Sequence, residues 1–178
     1  MHFLFTYNKC MPMLPAAIGI VLDQTEKKIL LVKRKDVPVW VLPGGGIEIG
    51  EKPFDAVLRE IWEETNLKVK VMRQVAEYTP INRLATLTFV FICKLREGTP
   101  QLSNETSDIA FFSIDALPSS LFNPHRDWIN EGLKTKSLVK KPLTQITYWA
   151  TFKYFFQHPL FLLKYAWTRW VKNRHERN

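Results

Sequence analysis

Three glutamates, Glu60, Glu63 and Glu64, stand at i, i+3 and i+4 in the run Arg59-Glu60-Ile61-Trp62-Glu63-Glu64. On a helix that spacing puts all three carboxylates on one face. Like charges at this separation repel and destabilise an isolated helix, so the arrangement calls for a compensating positive charge. A hard divalent cation with oxygen ligands is the natural candidate. Arg59 adjoins the cluster and can fix a carboxylate through a charge-assisted fork. Just upstream, Pro43-Gly44-Gly45-Gly46 allows close backbone approach, which brings carbonyl and N–H groups to the same ion or to a phosphate. A cation beside such a loop suits phosphate chemistry: it neutralises phosphate charge and lowers the pKa of bound water, and a nearby carboxylate takes the water's proton.

An acidic run alone is more often a solvated helix face. The longer pattern argues against that here. Gly45, Glu51, Arg59, Glu60, Glu63 and Glu64 are six fixed residue types at fixed spacing. By average composition they coincide at roughly 10⁻⁷ per starting position.

The elements that must hold these groups follow from periodicity. Pro53 to Thr65 is expected to be helical, with Pro53 at its first position and no Gly or Pro before Asn66. Val57 and Ile61 share one face of it, and Leu58 and Trp62 form an adjoining apolar stripe. Ala16–Leu22 and Ile29–Lys33 read as paired strands around the polar turn Asp23–Lys28, and Val39–Leu42 is a short apolar run ending at the glycine loop. Leu67–Met72 (extending through Tyr78), Ala85–Leu95 and Ile109–Ile114 are further strands, and Asn123–Gly132 is a second helix with Pro124 at its start. Strands bracketing helices in this order predict a layered α/β domain.

The segment Gly45–Leu67 resembles the Nudix box: Gly, five residues, Glu, seven residues, Arg-Glu-aliphatic-any-Glu-Glu-any-Gly-aliphatic. Gly45, Glu51, Arg59, Glu60, Ile61, Glu63, Glu64 and Leu67 match, and Pro43-Gly44 fits what precedes it. Asn66 stands where the family has Gly; Asn is the next most tolerant residue of a left-handed helix end. The resemblance implies a Nudix-like α/β/α sandwich with a mixed sheet over residues 1–133. It implies hydrolysis of a diphosphate bond in a nucleoside diphosphate linked to another group, with Mg²⁺, or Mn²⁺ in its place, as cofactor. It also implies roles. Glu63 and Glu64 would be the principal metal ligands, with the Gly44 carbonyl lending an oxygen. Glu60 would bind metal or take the proton from water, and Arg59 would orient it. Glu51 would support the cluster or hold a second ion, and with Gly45 and Gly46 would border the substrate phosphates. Glu105, in Ser103-Asn104-Glu105-Thr106-Ser107, resembles a distant-loop position that serves as general base in some members, so Glu60 and Glu105 both stand as candidates. Glu48 is either part of the site or a surface residue. A non-catalytic nucleotide-binding module on the same fold is the alternative. Trp40, Tyr78 and Phe89 can stack on a base, but core packing accounts for them more simply, and no downstream motif selects a substrate.

The net charge of +8 is unevenly placed. From Lys134 onward there are ten Lys/Arg and one acidic residue, whereas residues 1–133 are nearly balanced. Residues 134–178 therefore read as a basic, aromatic tail, with Lys134–Pro142 as the boundary and Pro159 dividing two helices. Charged residues interrupt every 20-residue window, so a transmembrane span is not expected. Three readings of residues 143–173 are open: packing on the domain or across a homodimer, peripheral contact with an anionic membrane surface, or contact with RNA. Cys10 and Cys93 make no disulfide framework, which fits a reducing cytoplasm, and the N-terminus lacks the basic start of a signal peptide.

Overall fold

The structure is a computed structural model and describes residues 14–37 and 39–146. The strands are β1 (Ala16–Leu22), β2 (Lys28–Arg34), β3 (Trp40–Val41), β4 (Gly44–Gly46), β5 (Lys68–Pro80), β6 (Thr88–Glu97), β7 (Thr106–Ser113) and β8 (Val139–Leu143). The helices are α1 (Pro53–Thr65) and α2 (Asn123–Lys134). The sheet runs β3-β2-β1-β6-β5-β8, with β4 added to β1 and β7 to β2. It is mixed: β1/β6 and β5/β8 are parallel and the other pairs antiparallel.

β1 is central and buried on both sides, as its unbroken apolar run requires. Alternate residues face opposite layers. Ile18, Ile20 and Leu22 pack with Trp128 and Ile129 of α2, while Ala17 and Val21 pack with Val57 and Ile61 of α1. Each helix lies close to the sheet over a glycine. A Cβ on Gly19 would stand 2.6 Å from Ile61 Cδ1, and one on Gly132 would stand 2.9 Å from Ile20 Cδ1. Two helices on opposite faces of a mixed sheet are the expected α/β/α sandwich.

α1 spans the expected residues, and α2 runs two residues further than expected, to Lys134. Two segments differ from the sequence reading. The Gly44–Gly46 breaker forms β4, which pairs with the first half of β1, where β2 has diverged; β1 and β2 pair only at Leu22↔Ile29. The basic stretch read as a boundary contributes β8, with Leu143 buried. Lys140 and Lys141 lie on opposite faces of this edge strand and pair with Glu77 of β5 and Glu131 of α2, so the charges that suggested a linker are taken up by ion pairs on either side of it. The helices expected on either side of Pro159 lie outside the described residues.

α2 buries a histidine under the loop that leads to β4. His125 Nδ1 accepts the Leu42 N–H at 2.9 Å, and its ring stacks on Trp128 at 4.7 Å. Burial, with Arg34 nearby, pushes its pKa from 6.5 down to about 3. The unfolded chain takes up this proton near 6.5 and the folded chain does not, so the stability it contributes is full above pH 6.5 and lost below it. At pH 5 the loss is about 2 kcal/mol relative to pH 7. Urea midpoints at the two pH values should show it, and His125→Gln, which keeps an acceptor but does not titrate, should show a flatter dependence.

Candidate active site

α1 supplies most of the site. Pro53 opens it, and Asn66 closes it with φ 58° and ψ 22°, its N–H donating to the Trp62 carbonyl at 2.7 Å. This is the left-handed end that the Asn-for-Gly departure requires. Ala56, Val57, Ile61 and Thr65 form the buried stripe. Glu60 and Glu64 flank that stripe and are half-buried, while Glu63 is exposed.

β4 supplies the other wall. Its glycines pair with Ala16, Ala17 and Ile18, and Gly44 has φ +143° with no room for a side chain: a Cβ would stand 2.3 Å from the Ala17 carbonyl oxygen. At Gly45 the obstacle is the site itself, since a Cβ would meet Glu60 Oε2 at 2.4 Å. Gly44 N–H donates to Glu64 Oε2 at 3.0 Å. Two carboxylates one helical turn apart are thus pressed onto consecutive residues of bare backbone.

Arg59 joins the other side. Its guanidinium donates to Glu51 through Nε (2.9 Å) and Nη2 (2.9 Å), to Glu60 (2.7 Å) and Glu63 (3.1 Å) through Nη1, and to the Gly46 carbonyl through Nη2 (2.9 Å). Glu51 also accepts the Glu48 N–H at 2.9 Å. The Arg59 bonds, with that N–H, hold Glu51 down at about 2, and the Arg59 pKa is raised in turn, first by Glu51.

Glu60 and Glu64 behave in the opposite way. Burial raises the Glu60 carboxyl, against the pull of Arg59. Burial pushes Glu64 up to about 7, opposed by the Gly44 N–H and assisted by Glu60. Glu64 is a half-buried acid with no cation bonded to it. Among the described residues, no three Asp, Glu, His or Cys side chains stand close enough to enclose an ion by themselves. Mg²⁺ rarely needs such a cage: it is held by one or two carboxylates, waters and the substrate's phosphates. Glu60 and Glu64 beside Gly44 and Gly45 fit that donor set.

The site residues named from sequence divide accordingly. Gly44, Gly45, Glu60 and Glu64 come together, and Arg59 gathers Glu51, Glu60, Glu63 and the Gly46 carbonyl. Glu105 sits on the exposed turn before β7, within the electrostatic reach of Glu64, and its carbonyl accepts the Lys35 N–H at 3.0 Å. Glu48 engages through its backbone alone. Trp40 and Tyr78 belong to the core, where Trp40 meets Phe112 edge-on and Tyr78 stacks on Trp128. Sequence reasoning passed over Arg34. It ends β2, is paired with Asp36 at 2.6 Å, is half exposed, and feels both Glu105 and Glu64. The available signal was a cationic strand end, Lys33-Arg34-Lys35, shortly before the glycine loop. An open groove of about 420 Å³ between the start of α1 and β5 shares no lining residue with the carboxylate cluster.

The model of the NUDIX domain matches residues 13–133. The chain is 34% identical over 128 residues to an ADP-ribose pyrophosphatase of Methanocaldococcus jannaschii, covering 68% of this chain and 74% of that protein. It is 31% identical over 106 residues to a MutT-like protein of Streptomyces ambofaciens, covering 60% and 68%. Among solved structures, a UDP-X diphosphatase superposes with a TM-score of 0.60 at 30% identity, over 72% of this chain and 66% of that one. An ADP-ribose pyrophosphatase from Streptococcus suis superposes with a TM-score of 0.57 at 26% identity, over 72% and 97%. The match spans the body from β1 to α2, with the glycine strand and the glutamate helix inside it, and with it the chain belongs to the Nudix hydrolase family, enzymes that cleave diphosphate linkages.

Proposed function

We propose that the protein hydrolyses the diphosphate bond of a nucleoside diphosphate linked to a second group, with Mg²⁺ held by Glu60, Glu64 and the Gly44 carbonyl, and with Glu63, exposed and paired with Arg59, outside that set. The observation that carries this is the placing of Glu64, half-buried and bonded to the Gly44 N–H, together with Glu60 against the bare backbone of Gly44 and Gly45, where burial pushes the Glu64 carboxyl up to about 7. When bound, Mg²⁺ supplies charge neutralisation on the phosphates and acidifies coordinated water. The chain's own residues do the rest. Arg59 fixes Glu60 and, through Gly46, the glycine strand, while Glu51 acts as the brace that keeps the guanidinium in place. Gly45 and Gly46 leave room for phosphate oxygens against the backbone. Arg34, its fork held by Asp36 through Nε and Nη2, adds positive charge near Glu64 that favours a substrate phosphate there. Glu60, or Glu105 from across the site, takes a proton from the attacking water as its oxygen bonds to phosphorus. The bridging P–O bond breaks on the far side, and two phosphate-terminated products leave. Two relatives named as ADP-ribose pyrophosphatases make a nucleoside diphosphate-sugar the first substrate to test.

A hydrolysis screen with Mg²⁺ over ADP-ribose, nucleoside diphosphate-sugars, dinucleotides, nucleoside triphosphates and capped RNA tests the proposal. Turnover of an ADP-ribose-like substrate, abolished by chelation, is the expected result. Tight nucleotide binding with no turnover of any of them would make the chain a binding module instead.

A further inference from the structure

The strand registers set Arg34 level with the carboxylate site. β1 and β2 are antiparallel and meet at Leu22↔Ile29. Counting along both strands from that pair brings Arg34 to the height of Ala17, whose partner on the same side is Gly45. The glycine strand fills the edge that β2 has left, and Arg34 stands beyond it. The backbone there is tied down from two directions. Lys33 pairs with Asp108 and Arg34 with Thr106, so Ser107 is the extra residue of a bulge in β7. Its hydroxyl shares its proton between the Lys33 and Arg34 carbonyls, each at 3.2 Å, and the Arg34 N–H donates to the Val39 carbonyl at 3.2 Å.

Two of the three cations at this strand end are engaged elsewhere. Lys33 Nζ lies over the Trp40 ring at 5.8 Å, and Lys35 Nζ donates to the Ser103 carbonyl at 3.1 Å. Arg34 is held by a carboxylate instead. Its Nε donates to Asp36 Oδ1 at 2.8 Å and its Nη2 to Asp36 Oδ2 at 2.6 Å. Asp36 Oδ1 also accepts the Val37 N–H at 2.8 Å, so the carboxylate is fixed by its own turn. A guanidinium carries five N–H groups, and Asp36 takes two of them along one edge. Among the described residues nothing accepts from Nη1. The Nη1–Nη2 edge is therefore open to a second bidentate acceptor, which is what a phosphate offers. The two side chains are 51% and 48% exposed, and an ion pair so exposed contributes little to stability. What it removes is rotamer freedom. An unrestrained arginine must be ordered when a phosphate binds, whereas this one is ordered beforehand.

We propose that Asp36 is a positioning residue for substrate binding: it grips one edge of the Arg34 guanidinium and so presents the other edge to a phosphate of the nucleoside diphosphate. The proposal rests on the hydrolytic reading for the class of substrate, and two readouts on full-length protein keep them apart. Calorimetry with Mg²⁺ and α,β-methylene-ADP, whose bridging carbon resists hydrolysis, reads binding alone. Mg²⁺-dependent hydrolysis of ADP-ribose reads turnover. Asp36→Asn keeps the shape but loses the charge and one acceptor. It should raise the dissociation constant and the KM together, roughly five- to tenfold, with kcat within about twofold of the parent. Asp36→Glu restores the carboxylate and should recover most of that loss. In an Arg34→Ala background Asp36→Asn should add nothing further, because its effect runs through the guanidinium. A chain that binds the analogue with this dependence but hydrolyses no substrate ends the hydrolytic reading and supports Asp36 as positioning residue. A parent protein that does not bind the analogue overturns the proposal, as does Asp36→Asn binding as the parent does. Tighter binding by Asp36→Asn also overturns it, since Asp36 would then compete with the phosphate for the fork. So do equal losses with and without Arg34, or a fall in kcat and Tm at unchanged KM, which would make the pair a structural one.

Discussion

Glu64→Gln is expected to lower Mg²⁺-dependent hydrolysis by about 10³-fold or more while the protein stays folded. The amide keeps the shape and an acceptor for the Gly44 N–H but removes the charge a cation needs. The same change should raise stability in metal-free buffer, and the sign follows from the pKa. Glu64 is raised from 4.5 to about 7 by burial. The unfolded chain ionises first as pH rises, so the residue costs stability progressively between 4.5 and about 7, by an amount on the order of 3 kcal/mol above that window. Glutamine does not incur that cost. Melting temperatures at pH 8 with EDTA, beside steady-state hydrolysis with Mg²⁺, measure both effects. A variant that is dead and more stable without metal points to a carboxylate kept for its function. A variant that is dead and less stable would make Glu64 a structural residue.

Arg59→Ala should damage both properties together. Its guanidinium satisfies Glu51, Glu60, Glu63 and the Gly46 carbonyl at once. Its removal leaves the carboxylates to repel one another and frees β4 from the helix. The side chain is 25% exposed and its Glu51 and Glu60 partners 16% each. A loss of about 2 kcal/mol is therefore expected, between the values for surface and fully buried pairs. Turnover should fall about 10²-fold, because in the proposed mechanism the residue orients a group that acts on the water instead of acting itself. Arg59→Lys separates the causes. An ammonium restores charge but cannot span Glu51, Glu60 and Gly46 together. It should recover part of the stability and little of the turnover. Equal recovery of both would mean that charge alone is what Arg59 contributes. The stabilising Glu51–Arg59 contact has its own pH signature: Glu51 is held at about 2, so its contribution is present above 4.5 and disappears as pH falls toward 2.

The glutamate helix was legible because its instructions are local. Pro53 at the start, the Ala56-Val57-Ile61 stripe and Asn66 at the end set the helix, and the spacing of Glu60 and Glu64 then fixes a shared face. The apolar strands followed for the same reason, with boundaries off by one or a few residues where edge pairing decides them. The family pattern added the roles, and the order of elements added the layers. The rest depended on partners far away in the chain. Gly44–Gly46 reads as a breaker, and it becomes a strand only because β1 offers an edge where β2 has diverged. Val139–Leu143 reads as a charged linker, and it becomes a strand because β5 has an open side and the lysines find Glu77 and Glu131. Arg34 looks like any cationic strand end until the fold brings it near Glu64 and Glu105, which are thirty and more residues away. Side-chain periodicity is written into neighbouring residues. Which edge stays open, and which charges meet across the sheet, is settled only when the layers close.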